Sequence, residues 1–279
     1  MAEKPGASPL RTILFQLLLV LVTAAALFPL LWMLATALRG TPDYIRDPFG
    51  LPWPLHLANL AAAFRGGRFA RWFLNSVLVT GGVTLLTTIL ACLSALVFAK
   101  LPFRGSKTLL NVIIALMVVP PVVMILPWFI MYNQLRLHST FQGIIILYVG
   151  LTQPFSVYLL TNFFKTIPND YFEAAVIDGY NKLGILLRIV IPLSGAAILT
   201  LVITNALWVW NELLLALTFL AKDEMRTLMV GITTFKTRYM LDVPVTMAGL
   251  LLATVPMLLL YALFQKSFIR GLTEGSLKG

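Results

Sequence analysis

The chain has 279 residues, of which 59% are hydrophobic and only 11% are charged, and its mean hydropathy is +0.90. Because soluble domains are about a quarter charged, this composition excludes a water-soluble fold and predicts an integral membrane protein. The net charge of +10 comes from Lys and Arg in short clusters between apolar runs, which is typical of membrane loops and not of a nucleic-acid-binding surface. The only cysteine, Cys92, lies within an apolar run, so no disulfide framework or cysteine metal cluster is expected.

Six apolar runs each reach the ~20 residues that a helix needs to cross a bilayer core. The second run is rich in Gly, Thr and Ser, which let membrane helices approach closely. The third contains Pro120, Pro121 and Pro127 and is expected to kink, and Gln153-Pro154 is expected to interrupt the fourth. We predict an all-α integral membrane protein of one domain, with six transmembrane helices at residues 12–38, 73–99, 108–132, 141–164, 193–219 and 245–264.

The short loop after the second run indicates the orientation. Lys100, Arg104 and Lys107 fall close together without an acidic residue, and short basic loops lie in the cytoplasm. Six spans then place both termini and the loop at residues 165–192 on the cytoplasmic side. The polar loop at residues 39–72 is expected outside.

Motifs for catalysis are absent from the sequence. The dipeptide Gly-Lys never occurs, so there is no phosphate-binding loop of the G-x-x-x-x-G-K-[ST] type. His56 and His138 are the only histidines, and they lie far apart in predicted outer loops. We therefore expect a transport subunit and not an enzyme, with no metal site and no catalytic residues.

The 165–192 loop is the most polar break in the second half of the chain. Asp170 and Glu173 have the spacing of a capping box, with Asp170 as the N-cap, and Gly179 is placed to end the helix at a positive φ. This spacing allows Glu173 simply to cap its own helix. A second helical stretch is predicted at residues 182–190, returning the chain to the membrane at Pro192.

Within this loop the chain resembles a known family. The signature consists of Glu173-Ala174-Ala175, three intervening residues, Gly179, nine intervening residues and Ile189-x-Ile191-Pro192. It closely resembles the coupling-loop signature of binding-protein-dependent ABC importer permeases. Ile191 stands where Leu is usual. The resemblance covers nearly the whole chain and favours the carbohydrate-uptake branch, in particular the smaller permease of maltose-type transporters.

The resemblance implies an assembly in the bacterial cytoplasmic (inner) membrane. Its members are a second homologous permease, two ABC ATPase subunits that bind ATP and magnesium, and an extracytoplasmic solute-binding protein. This chain itself is expected to bind no cofactor. In the family, the loop glutamate faces a basic residue in a groove of the ATPase. The residues implied in ATPase coupling are Glu173, Ala174, Ala175, Asp178, Gly179, Ile189 and Pro192.

A polar and aromatic stripe in the fifth predicted span is the candidate solute path. Its members recur at helical spacing, and aromatic faces beside amides suit sugar rings. The alternative is that Glu212 lies near the water at the end of the span and that the tryptophans are belt residues. The candidate path residues are Tyr148, Gln153, Asn205, Trp208, Asn211 and Glu212, with Thr204 in the same stripe.

Other functions stay open on the sequence alone. An importer of the same class for a glycerophosphodiester or a polyol has the same signature. An ion-coupled secondary carrier is less favoured, because Glu212 is the only acidic residue within a predicted span and no internal repeat is visible. We also expect the outer loop to contact the solute-binding protein through Arg65, Arg68 and Arg71.

Overall fold

The computed structural model describes residues 9–64, 67–235 and 242–276. Within these ranges all regular structure is helical and no strand occurs, as the apolar runs predicted. The described residues form two compact units, one comprising 9–64, 234–235 and 242–252 and the other 67–233 and 253–276. The helices are α1 (Pro9–Ala37), α2 (Thr41–Arg46), α3 (Ala58–Ala63), α4 (Arg68–Lys100), α5 (Ser106–Ala115), α6 (Ile125–Gln134), α7 (Phe141–Thr166), α8 (Asp170–Ile177), α9 (Lys182–Ile185), α10 (Ile191–Leu193), α11 (Gly195–Asn211), α12 (Leu214–Phe219), α13 (Leu228–Ile232) and α14 (Val243–Ser276).

Between four and six membrane spans are present among the described residues. Four helices are long and apolar enough to cross a bilayer, namely α1, α4, α7 and the first part of α14. Two further candidates are bent pairs, Ser106–Val118 with Pro121–Gln134 at 99° and Lys182–Leu193 with Gly195–Asn211 at 83°. The count reaches six if each bent pair is one span.

The third predicted span is broken. The chain leaves the helical conformation at Val119, where ψ is 115°, and a 3-10 turn over Pro121–Met124 leads into α6. The residue before a proline is forced out of the helical region, and Pro120 and Pro121 supply that constraint twice. Pro127 lies within α6 without ending it.

Two expectations about the fourth and fifth spans are corrected. α7 runs through Pro154 without interruption, and the hydroxyls of Thr152 and Ser156 donate to carbonyls one turn earlier, at Tyr148 (2.8 Å) and Thr152 (2.6 Å). Pro154 removes only one helix amide donor, the one that would reach the Gly150 carbonyl, and membrane helices tolerate such an interior proline. The predicted helix at 193–219 is instead two helices, α11 and α12, because the backbone at Glu212 is extended with ψ 123°.

The first unit is organised around Arg39, which is buried just after α1. Its guanidinium Nη2 donates to the backbone carbonyls of Asp43 (3.1 Å) and Asp47, so one side chain spans the turn that contains α2. Asn59 in α3 donates to the carbonyls of Ala37 (2.8 Å) and Arg39 (2.6 Å). These bonds hold the two ends of the segment 37–59 together. The α1 side chains from 10 to 31, in contrast, are exposed.

The second unit is a helical bundle in which α4, α7 and α11 contact one another. One apolar cluster joins Ala91 and Ala95 of α4 to Leu160 and Phe164 of α7 and Leu201 of α11. Polar bridges run between the same helices, with the hydroxyls of Thr87 and Thr152 2.9 Å apart. Small residues and paired hydroxyls allow the close approach predicted for α4.

Candidate functional site

The first helix of the 165–192 loop is α8. It begins at Asp170, one residue earlier than a capping box requires, and the preceding Asn169 makes no side-chain cap. The predicted capping box is therefore wrong, because Asp170 already has the position of a helical residue. Glu173 does not bond back to the start of its helix, which removes the capping role that the spacing allowed.

The Glu173-Ala174-Ala175 triplet divides between the surface and the interior. Glu173 and Ala174 are exposed, and within the described part of the chain the Glu173 carboxylate has neither a hydrogen bond nor an ion pair. Ala175 is buried in the apolar cluster with Leu160 and Phe164. The triplet thus presents one free negative charge beside a small side chain, while its third residue attaches α8 to the bundle.

Gly179 ends this segment with φ +80°, the positive value that the sequence predicted. Its amide donates to the carbonyl of Val176 (3.0 Å), and the amide of Tyr180 donates to that of Ala175 (3.0 Å). In the described ranges, a Cβ added at Gly179 would meet no atom within 4 Å apart from its chain neighbours. The glycine is required for its backbone conformation and not for space inside this chain.

The second half of the loop is helical from Lys182 to Leu193. The Asn181 side chain caps α9 by accepting the Gly184 amide (2.7 Å), and a π-helical turn over Leu186–Val190 follows. Ile189 is half-buried against the apolar cluster, and Pro192 is exposed within α10. The chain bends at Ser194, two residues after the predicted return at Pro192, and α11 begins at Gly195.

Three of the candidate path residues lie together. The Tyr148 hydroxyl donates to the Glu212 carboxylate, and the Trp208 ring meets the Tyr148 ring edge-on with centroids 5.5 Å apart. Glu212 also accepts the backbone amides of Leu215 (2.8 Å) and Ala216 (2.9 Å). The Glu212 carboxylate is therefore occupied as the N-terminal anchor of α12.

The remaining candidates are not on the same surface. Asn205 is buried and donates to the Ser156 hydroxyl (3.1 Å), so it bridges α11 to α7. Asn211 is exposed and donates to the Leu207 carbonyl (2.8 Å) in its own helix. Gln153 is half-buried, and its Oε1 is buried without a hydrogen bond to the described residues. The predicted stripe is a mixture of interhelical bridges and exposed groups.

A cavity of about 490 Å³ lies in the second unit between the broken third span and α7. Apart from Trp128 and Tyr132 its wall is formed by aliphatic side chains, Gly150 and Pro154, and none of the predicted path residues contributes to it. In the ranges that the structure describes, no group of three His, Cys, Asp or Glu side chains is placed to hold a metal ion.

Sequence reasoning missed a polar clamp at the start of α4. Asn75 donates to the carbonyls of Glu224 (2.8 Å) and Arg226 (2.9 Å), and the Ser76 hydroxyl accepts the Leu228 amide (2.8 Å). The Trp72 indole donates to the Asp223 carbonyl (3.2 Å). These residues hold the segment after α12 against α4. Their signal was the polar pair Asn75-Ser76 at the beginning of an apolar run.

The fold and the loop define a polytopic membrane subunit with a polar helical hairpin between apolar helices. Residues 87–273 match the model of the family described as binding-protein-dependent transport system inner membrane component, and the chain belongs to that family. It is consequently a multi-pass inner-membrane transport subunit and not an enzyme, as the sequence predicted.

Curated relatives extend over the full chain. The sulfoquinovosyl glycerol transport system permease protein SmoH of Agrobacterium fabrum is 34% identical, with 100% of this chain and 99% of that protein covered. The trehalose/maltose transport system permease protein MalG of Thermococcus litoralis is 28% identical, with 97% and 98% covered. These matches confirm the resemblance to maltose-type permeases of the carbohydrate-uptake branch.

A solved structure shares the fold. A chain in the crystal structure of a bacterial ABC transporter involved in the import of the acidic polysaccharide alginate superimposes with a TM-score of 0.81 at 22% identity. The likeness covers 95% of this chain and 100% of that one.

Proposed function

We propose that this chain is one permease subunit of an ATP-driven, binding-protein-dependent importer of a sugar or oligosaccharide. Family membership supports the transport class, and the names of SmoH and MalG support a carbohydrate solute. In this proposal the bent pair Ser106–Val118 with Pro121–Gln134 is the third span and α11 with α12 forms the fifth, while residues 165–192 stay outside the membrane. This makes six spans with both termini in the cytoplasm. A second permease completes the path, two ATPase subunits bind ATP and magnesium, and a solute-binding protein delivers the solute from outside.

In the same proposal the 165–192 loop receives the movement of the ATPases. The observation that carries this part is the exposed Glu173 carboxylate, which has no partner in the described ranges although it lies on an ordered helix. Ala174 beside it leaves room for a partner surface, and Ala175 is buried in the apolar cluster of the second unit. A basic residue in an ATPase groove is the expected counterpart, since a charge-assisted contact is both strong and directional.

The outer loop is proposed to contact the solute-binding protein. Arg68 and Arg71 are exposed at the beginning of α4, and Arg65 lies outside the described residues. Exposed cations raise the rate of encounter with an acidic partner. The test measures how the rate of ATP hydrolysis depends on the concentration of binding protein. Replacing Arg68 and Arg71 with Ala is expected to raise the concentration of binding protein that gives half-maximal stimulation. Unchanged stimulation would remove this contact from the proposal.

The described contacts favour an importer over an ion-coupled carrier. Glu212, the one acidic side chain of the predicted spans, is taken up by the Tyr148 hydroxyl and by two amides of α12. A coupling carboxylate has to exchange its ion during transport, which these contacts oppose. The relatives' solutes favour a carbohydrate over a free polyol or a glycerophosphodiester.

The first test is purification of the chain from its host in mild detergent, with mass spectrometry of the proteins that accompany it. We expect one ABC ATPase and a second permease. The complex is then placed in proteoliposomes, and uptake of candidate sugars is measured with ATP inside. If the wild type purifies alone or only with itself, the importer is excluded and ion-driven uptake becomes the function to measure.

The coupling part needs a charge-matched comparison. Glu173→Gln removes the free charge at nearly constant volume, and Asp170→Asn removes another exposed charge one turn earlier in α8. Losing one charge-assisted contact is expected to lower uptake by about tenfold in Glu173→Gln. Asp170→Asn is expected to retain wild-type uptake. Equal losses in both variants would show a general effect of charge on the loop.

A further inference from the structure

Lys100 makes contacts that positive-inside orientation alone does not explain. It is the last residue of α4, and its Nζ donates to the Ile167 carbonyl (2.5 Å) and to Asn169 Oδ1 (2.8 Å). The same ammonium lies 4.9 Å from the centroid of the Phe172 ring. One side chain from the end of α4 therefore contacts the residue after α7, the residue before α8 and α8 itself.

The chemistry of these three contacts suits an ammonium group. The Ile167 carbonyl follows the last turn of α7, where helix carbonyls lack an intrahelical partner and a cation is favoured. The Asn169 amide oxygen supplies a second acceptor, and the face of an aromatic ring attracts a cation. Lysine has three donors and no acceptor, so a cluster composed of acceptors and a ring face satisfies it.

The contacts link Lys100 to the segment that carries Glu173. The Asn169 carbonyl accepts the amides of Phe172 (2.8 Å) and Glu173 (3.0 Å), while the Asn169 side chain accepts Lys100. A single residue thus separates the ammonium from the Glu173 backbone. Apolar packing of Ala175 also attaches α8 to the bundle, but such packing is non-directional. The bonds of Lys100 add a directional link between α4 and the start of α8.

The neighbouring cations provide an internal comparison. Arg104 and Lys107 belong to the same short basic loop, and both are exposed. In the described part of the chain neither side chain has a hydrogen bond, an ion pair or a ring contact. Orientation in the membrane needs positive charge only, and these two residues meet that need without touching the 165–192 loop. Membrane orientation therefore does not account for the contacts of Lys100 with the 165–192 loop.

We propose that Lys100 is a positioning residue that ties the 165–192 loop to α4, so that a displacement of α8 moves this span, an inference that rests on the proposed function. Removal of the tie lets α8 move without α4. ATP hydrolysis then continues while fewer solute molecules cross for each ATP consumed. Loss of coupling with retained hydrolysis separates this role from a purely structural one.

The test uses the whole transporter in proteoliposomes and measures ATP hydrolysis and solute uptake on the same sample. Lys100→Met keeps the length and the apolar stem but removes the ammonium, and Lys107→Met is the matched control. We expect Lys100→Met to retain the ATPase subunits on purification and to lower solute uptake per ATP by about fivefold, the lower range of a typical coupling effect. Lys107→Met is expected to match the wild type, and Lys100→Arg is expected to recover part of the ratio.

A second variant guards against loss of assembly. Asn169→Ala removes one acceptor and leaves Lys100 in place, and the double variant with Lys100→Met is expected to be no worse than Lys100→Met alone. A wild-type ratio of uptake to hydrolysis in both Lys100→Met and Asn169→Ala overturns the inference. Wild-type transporter without ATP-dependent uptake would instead overturn the proposed function, so the two failures are distinguishable.

Discussion

The Tyr148 hydroxyl of α7 donates to the Glu212 carboxylate at the break between α11 and α12. Glu212 has left the helical conformation, and its two oxygens accept the amides of Leu215 and Ala216, so the carboxylate begins the next helix. A carboxylate at a helix N-terminus is favoured by the exposed amides there. Tyr148 fixes this break against α7, and Trp208 packs edge-on against the same ring.

Tyr148→Phe is expected to lower the stability of the purified protein because Glu212 loses its donor from α7. The bond is between helices in a membrane protein, where such bonds contribute about 0.6–1.7 kcal/mol. The measurement is thermal unfolding in detergent. Tyr158→Phe is the matched control, since Tyr158 lies in the same helix with an exposed side chain. Equal melting temperatures for Tyr148→Phe and Tyr158→Phe would contradict the role assigned to the bond.

Substitutions at Gly179 are expected to follow backbone preference. Its φ is +80° and a side chain would meet open space in this chain, so Asn should be tolerated better than Ala, and Ala better than Val. Holding an Ala in this left-handed backbone conformation costs about 1–2 kcal/mol. Uptake per purified transporter measures the order. All three variants could instead lose uptake equally while the isolated permease keeps its wild-type unfolding temperature. In that case glycine is required at this position because the ATPase approaches it closely.

Gly231 in α13 is expected to accept no side chain at all. A Cβ at this position would overlap the indole of Trp72, which is buried and holds the segment at Asp223. Overpacking of this kind costs about 1–3 kcal/mol. Gly231→Ala should therefore lower the unfolding temperature, and Gly81→Ala should not, because a Cβ at Gly81 meets no atom within 4 Å. Adding Trp72→Phe to Gly231→Ala is expected to restore part of the lost unfolding temperature. If the effects of the two substitutions on the unfolding temperature simply add, the steric cause is contradicted.

Asn205 and Asn211 are expected to respond differently although both belong to the predicted path. Asn205 is buried in a bridge to Ser156, so Asn205→Ala should reduce stability by about 0.6 kcal/mol or more through the lost interhelical bond. Asn211 is exposed, so Asn211→Ala should leave stability unchanged. A change in the solute concentration for half-maximal uptake in Asn211→Ala would keep it in the path. Loss of stability in Asn211→Ala would assign it to packing.

Much of the candidate loop was predictable because its signals are local. The helix that contains Glu173, the positive φ at Gly179 and the helical stretch from Lys182 all depend on residues within a few positions of one another. The capping box failed because the helix begins at Asp170, and boundaries shift by one residue without changing the hydrophobic pattern. The burial of Ala175 was not predictable, since the other members of its apolar cluster, such as Leu160 and Leu201, come from other helices.

The candidate path shows the opposite case. Helical spacing placed Asn205, Trp208 and Glu212 on one stripe, but spacing takes no account of where a helix ends. At the break, Glu212 accepts a hydrogen bond from the Tyr148 hydroxyl, 64 residues earlier in the chain. The clamp of Asn75 on the segment near Arg226 is likewise a contact across 151 residues. Such pairs have no periodic signature in a single sequence.

The amino-acid sequence by itself determined the membrane environment, the helical class and the position of the polar loop, because bilayer insertion depends on composition and on the length of apolar runs. Only the tertiary structure decided which charged side chains in that loop and at the adjoining end of α4 have partners. Glu173 is free and Lys100 is held because packing of α4, α7 and α8 fixes distances between residues that are far apart in the chain. Lipid makes no distinction among apolar helix faces, so close packing and directional hydrogen bonds select the contacts that form.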